Sequence, residues 1–183
     1  QTSLLFLLSM TIWSQQEYQP VVESFEHSIA LKNFSSSRGS MLTPSKDHHK
    51  YGVQSLEWKW TEPGYFSTQS FSILKQEESP LKYGNHFPSS PMLAMAIYNE
   101  QAQNENIKIS SSKDGENEMY FEINLNFTGW RTIWVPYYEM QGAAPKKTEP
   151  IDINTFTVST NATKGKLFFD DIVYSQYQDD RHP

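Results

Sequence analysis

No stretch of this chain keeps a 3.6-residue apolar period for three turns, and that excludes most helical architectures. Short alternating segments bounded by Gly, Pro, Asn and Ser take its place. The most telling is Asn126-Phe127-Thr128-Gly129-Trp130-Arg131-Thr132-Ile133-Trp134-Val135-Pro136, rich in β-branched and aromatic residues and closed by a proline. Phe127, Gly129, Arg131, Ile133 and Val135 share one side of a two-residue zigzag; Thr128, Trp130, Thr132 and Trp134 share the other. Large residues on both faces predict a central strand covered on both sides, or a strand whose outer face touches something. Arg131, amid apolar neighbours, calls for a carboxylate or carbonyl partner.

Other segments follow the same rule. Leu56, Trp58 and Trp60 alternate with Ser55, Glu57 and Lys59, as in a half-buried strand. Further strands are expected at residues 21–30, 65–74, 92–98, 153–159 and 166–174. Residues 104–111 and 119–125 read as a hairpin joined through Asp114-Gly115. Residues 33–40 and 45–52 read as polar loops, the second carrying His48 and His49 on a solvated turn. About nine short strands at this spacing mean an all-β sandwich, with a jelly roll as the expected topology.

Composition narrows the function classes. Aromatic residues make up 14% of 183 residues, enough for one sizeable β core. The net charge is −6 and no basic stripe exists, which argues against a nucleic-acid partner. Without cysteine there is no disulfide, thiolate metal site or cysteine nucleophile. No nucleophile elbow, P-loop or zinc motif is present either. Residues 4–13 form an apolar run of signal-peptide length, too short to span a bilayer as a helix. Residues 1–16 therefore read as a truncated signal peptide and 17–24 as a linker, with a buried N-terminal strand as the rival. A signal peptide implies export.

Two sets of side chains bear chemistry. Glu26, in the expected first strand, and Asp170-Asp171, in the last, would meet if those strands approach each other. Hard carboxylate oxygens with nearby carbonyls suit Ca²⁺; a solvated edge pair or a turn cap is the alternative. Trp58, Trp60, Trp130, Trp134, Tyr137 and Tyr138 offer ring faces on which sugars stack, with core packing as the alternative. Asn33, Asn126 and Asn161 head glycosylation sequons at a frequency near chance.

The segments Gln54-Ser55-Leu56-Glu57-Trp58-Lys59-Trp60 and Leu125-Asn126-Phe127-Thr128-Gly129-Trp130-Arg131-Thr132 make the chain similar to a known family. So do Asn33-Phe34-Ser35-Ser36, Ser40-Met41-Leu42-Thr43 and Gly165-Lys166-Leu167-Phe168-Phe169-Asp170. It resembles the N-terminal domain of bacterial chondroitin sulfate ABC lyases over residues 25–175. The resemblance implies a galactose-binding-like jelly roll at the front of a larger periplasmic or secreted enzyme. Residues 176–183 would then begin the linker to the α/α toroid, where the family's catalytic His, Tyr, Arg and Glu lie. Nothing here matches those segments, so no catalytic residue carries over. The family's reaction is β-elimination on a uronate.

Related jelly-roll modules hold a structural Ca²⁺ between a first-strand Glu and the last-strand Asp, which implies Glu26 and Asp170. As a sugar-holding module the chain would stack chondroitin or dermatan sulfate on Trp58, Trp60, Trp130 or Trp134. Arg38, Lys46 and Lys50 on polar turns would then meet sulfate or carboxylate. The alternative is a purely structural domain that packs on the catalytic module.

Overall fold

The computed structural model describes residues 21–26, 28–69, 92–146, 151 and 153–175. The signal-peptide segment, the first half of the 17–24 linker, the later half of the 65–74 strand and the 176–183 tail lie outside them; the second half of that linker holds a strand instead.

Twelve strands are present among the described residues: β1 Val21–Glu23, β2 Phe34–Ser36, β3 Ser40–Ser45, β4 Ser55–Trp60, β5 Gly64–Thr68 and β6 Met92–Asn99. They continue as β7 Asn106–Lys113, β8 Glu116–Asn124, β9 Gly129–Pro136, β10 Gln141–Gly142, β11 Thr155–Thr160 and β12 Gly165–Ser175. They form two antiparallel sheets. The first has the order β3-β4-β12-β6-β9, with β1 also pairing β12; the second runs β10-β8-β7-β11-β5-β2. This is the expected all-β sandwich. First and last strands do meet, through Val21↔Val173 and Glu23↔Ile172.

Alternation decides what lies between the sheets. Leu56, Trp58 and Trp60 of β4 face inward with Leu167 and Phe169 of β12, and all five are buried. From the second sheet, Phe66, Ile107, Ile109, Phe156 and Val158 meet them. Phe66 stands edge-on to Trp58 (centroids 5.1 Å apart) and to Phe169 (5.2 Å), so one aromatic cluster stitches the sheets together. Burying a side chain of this size contributes about 3 kcal/mol.

Several expectations need correction. The Gly129–Pro136 segment is a strand, but at the edge of the first sheet, beside β6 only. Its inner face is apolar because Ile133 and Val135 pack on the core. Arg131 points the same way at the rim, stays exposed, and lies over the Phe127 ring (4.3 Å), with no anionic partner among the described residues. The first strand stops at Glu23, so Phe25 and Glu26 sit in a loop where Phe25 adopts a left-handed φ of 59°. The Ser-rich stretch after Asn33 pairs with β5 as β2, because its hydroxyl side chains suit an edge. The hairpin is where the sequence puts it: β7 and β8 join through Asp114 and Gly115, both at positive φ, as a two-residue hairpin loop requires.

Buried Asn99 fixes the exit from the second sheet to the first. Its amide donates to the carbonyls of Leu125 (3.0 Å) and Phe127 (2.9 Å), pinning the β8–β9 crossover.

Candidate functional site

The outer face of the first sheet is built around a loop, residues 46–54, that folds back over it. Asp170 anchors this loop. Its Oδ2 accepts the backbone N–H groups of Lys50 (2.7 Å) and Tyr51 (2.9 Å). Glu26 holds the next turn, accepting the N–H of Val53 at 3.0 Å, while the Gln54 amide donates to the Phe25 carbonyl at 2.5 Å. Gly52 is required here: φ is +59°, and a Cβ would overlap the Glu26 carboxylate.

Asp170 is 1% exposed and its Oδ1 has no hydrogen-bond partner among the described residues. Burial pushes its carboxyl above the usual aspartate range, opposed by the N–H groups of Tyr51, Lys50 and Asp171 and reinforced by the nearby Glu26 charge. Burial likewise raises Asp171, with the Asp170 charge adding to it. β12 breaks register between Asp170 and Val173, where Asp171 adopts φ 51°; this bulge aims the acidic pair outward beneath the loop.

An orphan carboxylate oxygen beside a second carboxylate has the donor chemistry of a hard cation site. No group of three or more His, Cys, Asp or Glu side chains gathers around a metal position among the described residues. Glu26 and Asp170 would supply the anionic oxygens, and carbonyls or water the remainder.

The other half of the loop lies on aromatic side chains. The His48 ring stacks on Tyr98 (4.0 Å, 19°) and meets the Phe168 edge at 4.7 Å. Its Nε2 pairs with Glu100 Oε1 at 3.2 Å. Lys166 meets the other Glu100 oxygen at 2.6 Å, and its hydrogen bond is the leading cause holding Glu100 below the ordinary carboxylate value. Beyond the loop, the Lys50 ammonium donates to Thr132 Oγ1 on β9. Trp130 and Trp134, two residues either side of Thr132 on the same face, are half-buried, and Trp130 leans on Tyr98 with centroids 5.3 Å apart.

The second sheet's outer face differs in chemistry. Lys108, over the Tyr120 ring at 4.2 Å, is tied to Glu118 at 2.7 Å, and Asn106 donates to Glu122 at 3.0 Å. Two glutamates against one lysine make a poor surface for a polyanion.

The family model described as "Lyase, N terminal" matches residues 19–183. This chain belongs to that family.

Curated relatives of the lyase N-terminal domain share its sequence. It is 31% identical over 147 residues to the chondroitin sulfate ABC exolyase of Proteus vulgaris, covering 80% of this chain and 14% of that protein. It is 25% identical over 180 residues to the chondroitin sulfate ABC endolyase of the same organism, covering 86% and 18%. The chain thus spans less than a fifth of the length of these relatives. Among solved structures, the family 11 carbohydrate-binding module of a Clostridium thermocellum cellulosomal cellulase superposes with a TM-score of 0.55 at 16% identity, covering 90% of this chain and 98% of that one. An exo-β-agarase gives 0.65 at 8% identity, covering 87% and 25%. The lyase N-terminal domain therefore has the sandwich fold of carbohydrate-binding modules.

Within the domain, the sequence candidates separate into three groups. Trp58 and Trp60 are 0% and 1% exposed, packed on each other at 4.4 Å; they are core residues with no face for a sugar. Buried Tyr137 joins them. Lys50, Trp130 and Trp134 come together along β9, and Lys46 is exposed on the same loop as Lys50. Arg38 stands apart in the β2–β3 turn, at the opposite end of β3 from the loop. Sequence reasoning also missed His48, which is no solvated turn residue but a half-buried ring wedged on Tyr98. Its signal was the ring type itself, and its partners lie some fifty residues away. No helix among the described residues is long and apolar enough to cross a membrane.

Proposed function

We propose that this domain is the non-catalytic front module of an exported bacterial chondroitin and dermatan sulfate ABC lyase, and that it holds the polymer along β9. The observation that carries this reading is the Lys50 ammonium, bonded to Thr132 between Trp130 and Trp134. Two ring faces beside a fixed cation match a sugar chain whose C–H faces stack on aromatics and whose carboxylates or sulfates seek ammonium groups. Exposed Lys46 on the same loop as Lys50 adds a second ammonium, against an overall charge of −6. The β-elimination would be performed by the catalytic α/α toroid downstream, to which this module delivers the chain.

Glu26 and Asp170 take a structural Ca²⁺ in this reading. The support is the unpartnered buried Asp170 Oδ1 with Glu26 close enough to raise its pKa. Such an ion would offset two confined carboxylate charges and stiffen the loop that presents Lys50.

A second reading rests on a different observation. Tyr51 and Val53 on the same loop are 49% and 62% exposed, an apolar pair suited to packing against the catalytic module. Calorimetric titration of the chain with chondroitin sulfate oligosaccharides, with and without Ca²⁺, separates the two. Saturable binding that Trp130→Ala and Trp134→Ala weaken supports the holding module. No heat from a folded chain in either condition leaves the structural domain.

A further inference from the structure

One end of the first sheet, beside the Glu100–Lys166 pair, carries a cleft of about 580 Å³. It is lined by Lys59 of β4, Lys164 and Lys166 at the start of β12, and Glu100, Gln101 and Gln103 after β6. The Trp60 ring closes its inner side, seated against Gly165, where any Cβ would overlap the ring.

The charge of this cleft is opposite to that of the chain. Three lysines and Glu100 line it, with Glu57 paired to Lys59 beside it, which leaves one lysine in excess on a molecule whose net charge is −6. Two of the lysines are held in place. Lys59 pairs with Glu57 at 2.7 Å, and Lys166 pairs with Glu100 at 2.6 Å. Glu100 is shared with His48, whose Nε2 lies 3.2 Å from its other oxygen, so both carboxylate oxygens are engaged. Exposed Lys164 has no carboxylate partner among the described residues. The Gln101 and Gln103 amides add neutral N–H donors. Fixed ammonium groups from different directions, with amides between them, suit a monoanion that spreads its charge over several oxygens.

The cleft is also placed to act with the β9 surface. Lys59 and Lys166 are cross-strand partners on the outer face, one row from Phe168, Tyr98 and Trp130, which lie abreast on β12, β6 and β9. Two strand spacings separate β12 from β9, roughly 10 Å. A single oligosaccharide seated on Trp130 reaches the cleft.

We infer that this cleft is an anion subsite that takes a sulfate ester of the glycosaminoglycan, so that the domain prefers sulfated to unsulfated chains. The inference rests on the polymer-holding reading above and adds the group that the site selects.

The test is calorimetry of the 183-residue chain with a chondroitin sulfate hexasaccharide and with its chemically desulfated counterpart. The native chain is expected to bind the sulfated form about tenfold more tightly, the effect of one charge-assisted contact set. Lys164→Gln removes most of that preference. Ala102→Glu, at an exposed cleft position, does the same by adding a negative charge without touching the core. Lys113→Gln, in the β7–β8 hairpin on the other sheet, keeps the preference and so separates the cleft from net charge. If the native chain binds both forms equally, or both cleft variants keep the full preference, the subsite is overturned while the holding module stands. If the folded native chain binds neither form, the holding module itself is overturned, and the subsite with it.

Discussion

The carboxylate of Asp170 accepts the backbone N–H of Lys50, 120 residues away in sequence, at 2.7 Å. The last strand thereby fixes the loop whose next functional group, the Lys50 ammonium, rests on β9. Strand pairing, a buried acid and a candidate binding cation form one mechanical unit. Its energetics are set by a charge that burial disfavours and that the N–H groups of Tyr51, Lys50 and Asp171 favour.

That balance fixes a pH dependence. The Asp170 carboxyl is raised on folding, so the folded state binds its proton more tightly than the unfolded chain does. Its contribution to stability is complete below the ordinary aspartate value of about 3.9 and is lost as pH rises through the raised value. In chelator, Asp170→Asn is expected to flatten this part of the stability–pH curve. Urea denaturation across the acidic range, native chain against variant, provides the check; identical slopes would count against the buried-charge account.

Calcium is expected to reverse the penalty. A divalent ion at Glu26 and Asp170 favours the ionised form, so stabilisation by Ca²⁺ should grow as pH rises. At a hundredfold excess over the dissociation constant it amounts to about 2.7 kcal/mol. Differential scanning calorimetry with Ca²⁺ and with chelator reads this as a shift in Tm. Asp170→Asn and Glu26→Gln should each abolish the shift; an unchanged shift in both would place the ion elsewhere, and no shift in the native chain would remove it.

Tryptophans divide by role, and stability measures the division. Trp58 fills the space between the sheets against Phe66 and Phe169, so Trp58→Ala should cost about 3–5 kcal/mol or prevent folding. Trp130 is half-buried on an edge strand, and Trp130→Ala should cost much less, about 1 kcal/mol. Gly165→Ala belongs with the first class despite adding one methyl, because that methyl would overlap the Trp60 ring; about 1–3 kcal/mol is expected. Equilibrium unfolding of the three variants ranks them.

The sandwich was legible because alternation is a local property: each β4 or β11 side chain declares its face by parity alone. Parity did not say which face is the inside. Trp58 and Trp60 look the same in sequence as Trp130 and Trp134, yet one pair is core and the other rims an edge strand. That difference follows from the face: Trp58 and Trp60 point between the sheets, whereas Trp130 and Trp134 lie on the face of β9 opposite Ile133 and Val135. Parity named Glu26 and Asp170 as acidic residues near the chain ends, but placed Glu26 in the first strand, whereas it sits in the loop after β1 and accepts from Val53 while Asp170 accepts from Lys50 and Tyr51. The lysine cleft was not legible, since Lys59, Lys164 and Lys166 come from two strands and a turn that only the fold makes neighbours.

The anchoring of the loop predicts a coupling between residues that touch no sugar and the affinity for it. Asp170→Ala removes the one oxygen that accepts both the Lys50 and Tyr51 N–H groups, leaving two amides to find water; hydrogen bonds to a charged group contribute about 1.5–3 kcal/mol each. The loop should detach from β12 and carry Lys50 off Thr132, lowering both Tm and chondroitin sulfate affinity. Asp170→Asn keeps an acceptor oxygen for the loop, so in chelator it should leave affinity near the native value. Lys50→Gln removes the cation but not the anchor, and should lower affinity while Tm stays put. Calorimetric titrations and melting curves on these three variants read both quantities. Loss of affinity in Asp170→Ala without loss in Lys50→Gln would mean that the loop shapes the surface and the ammonium does not bind the polymer.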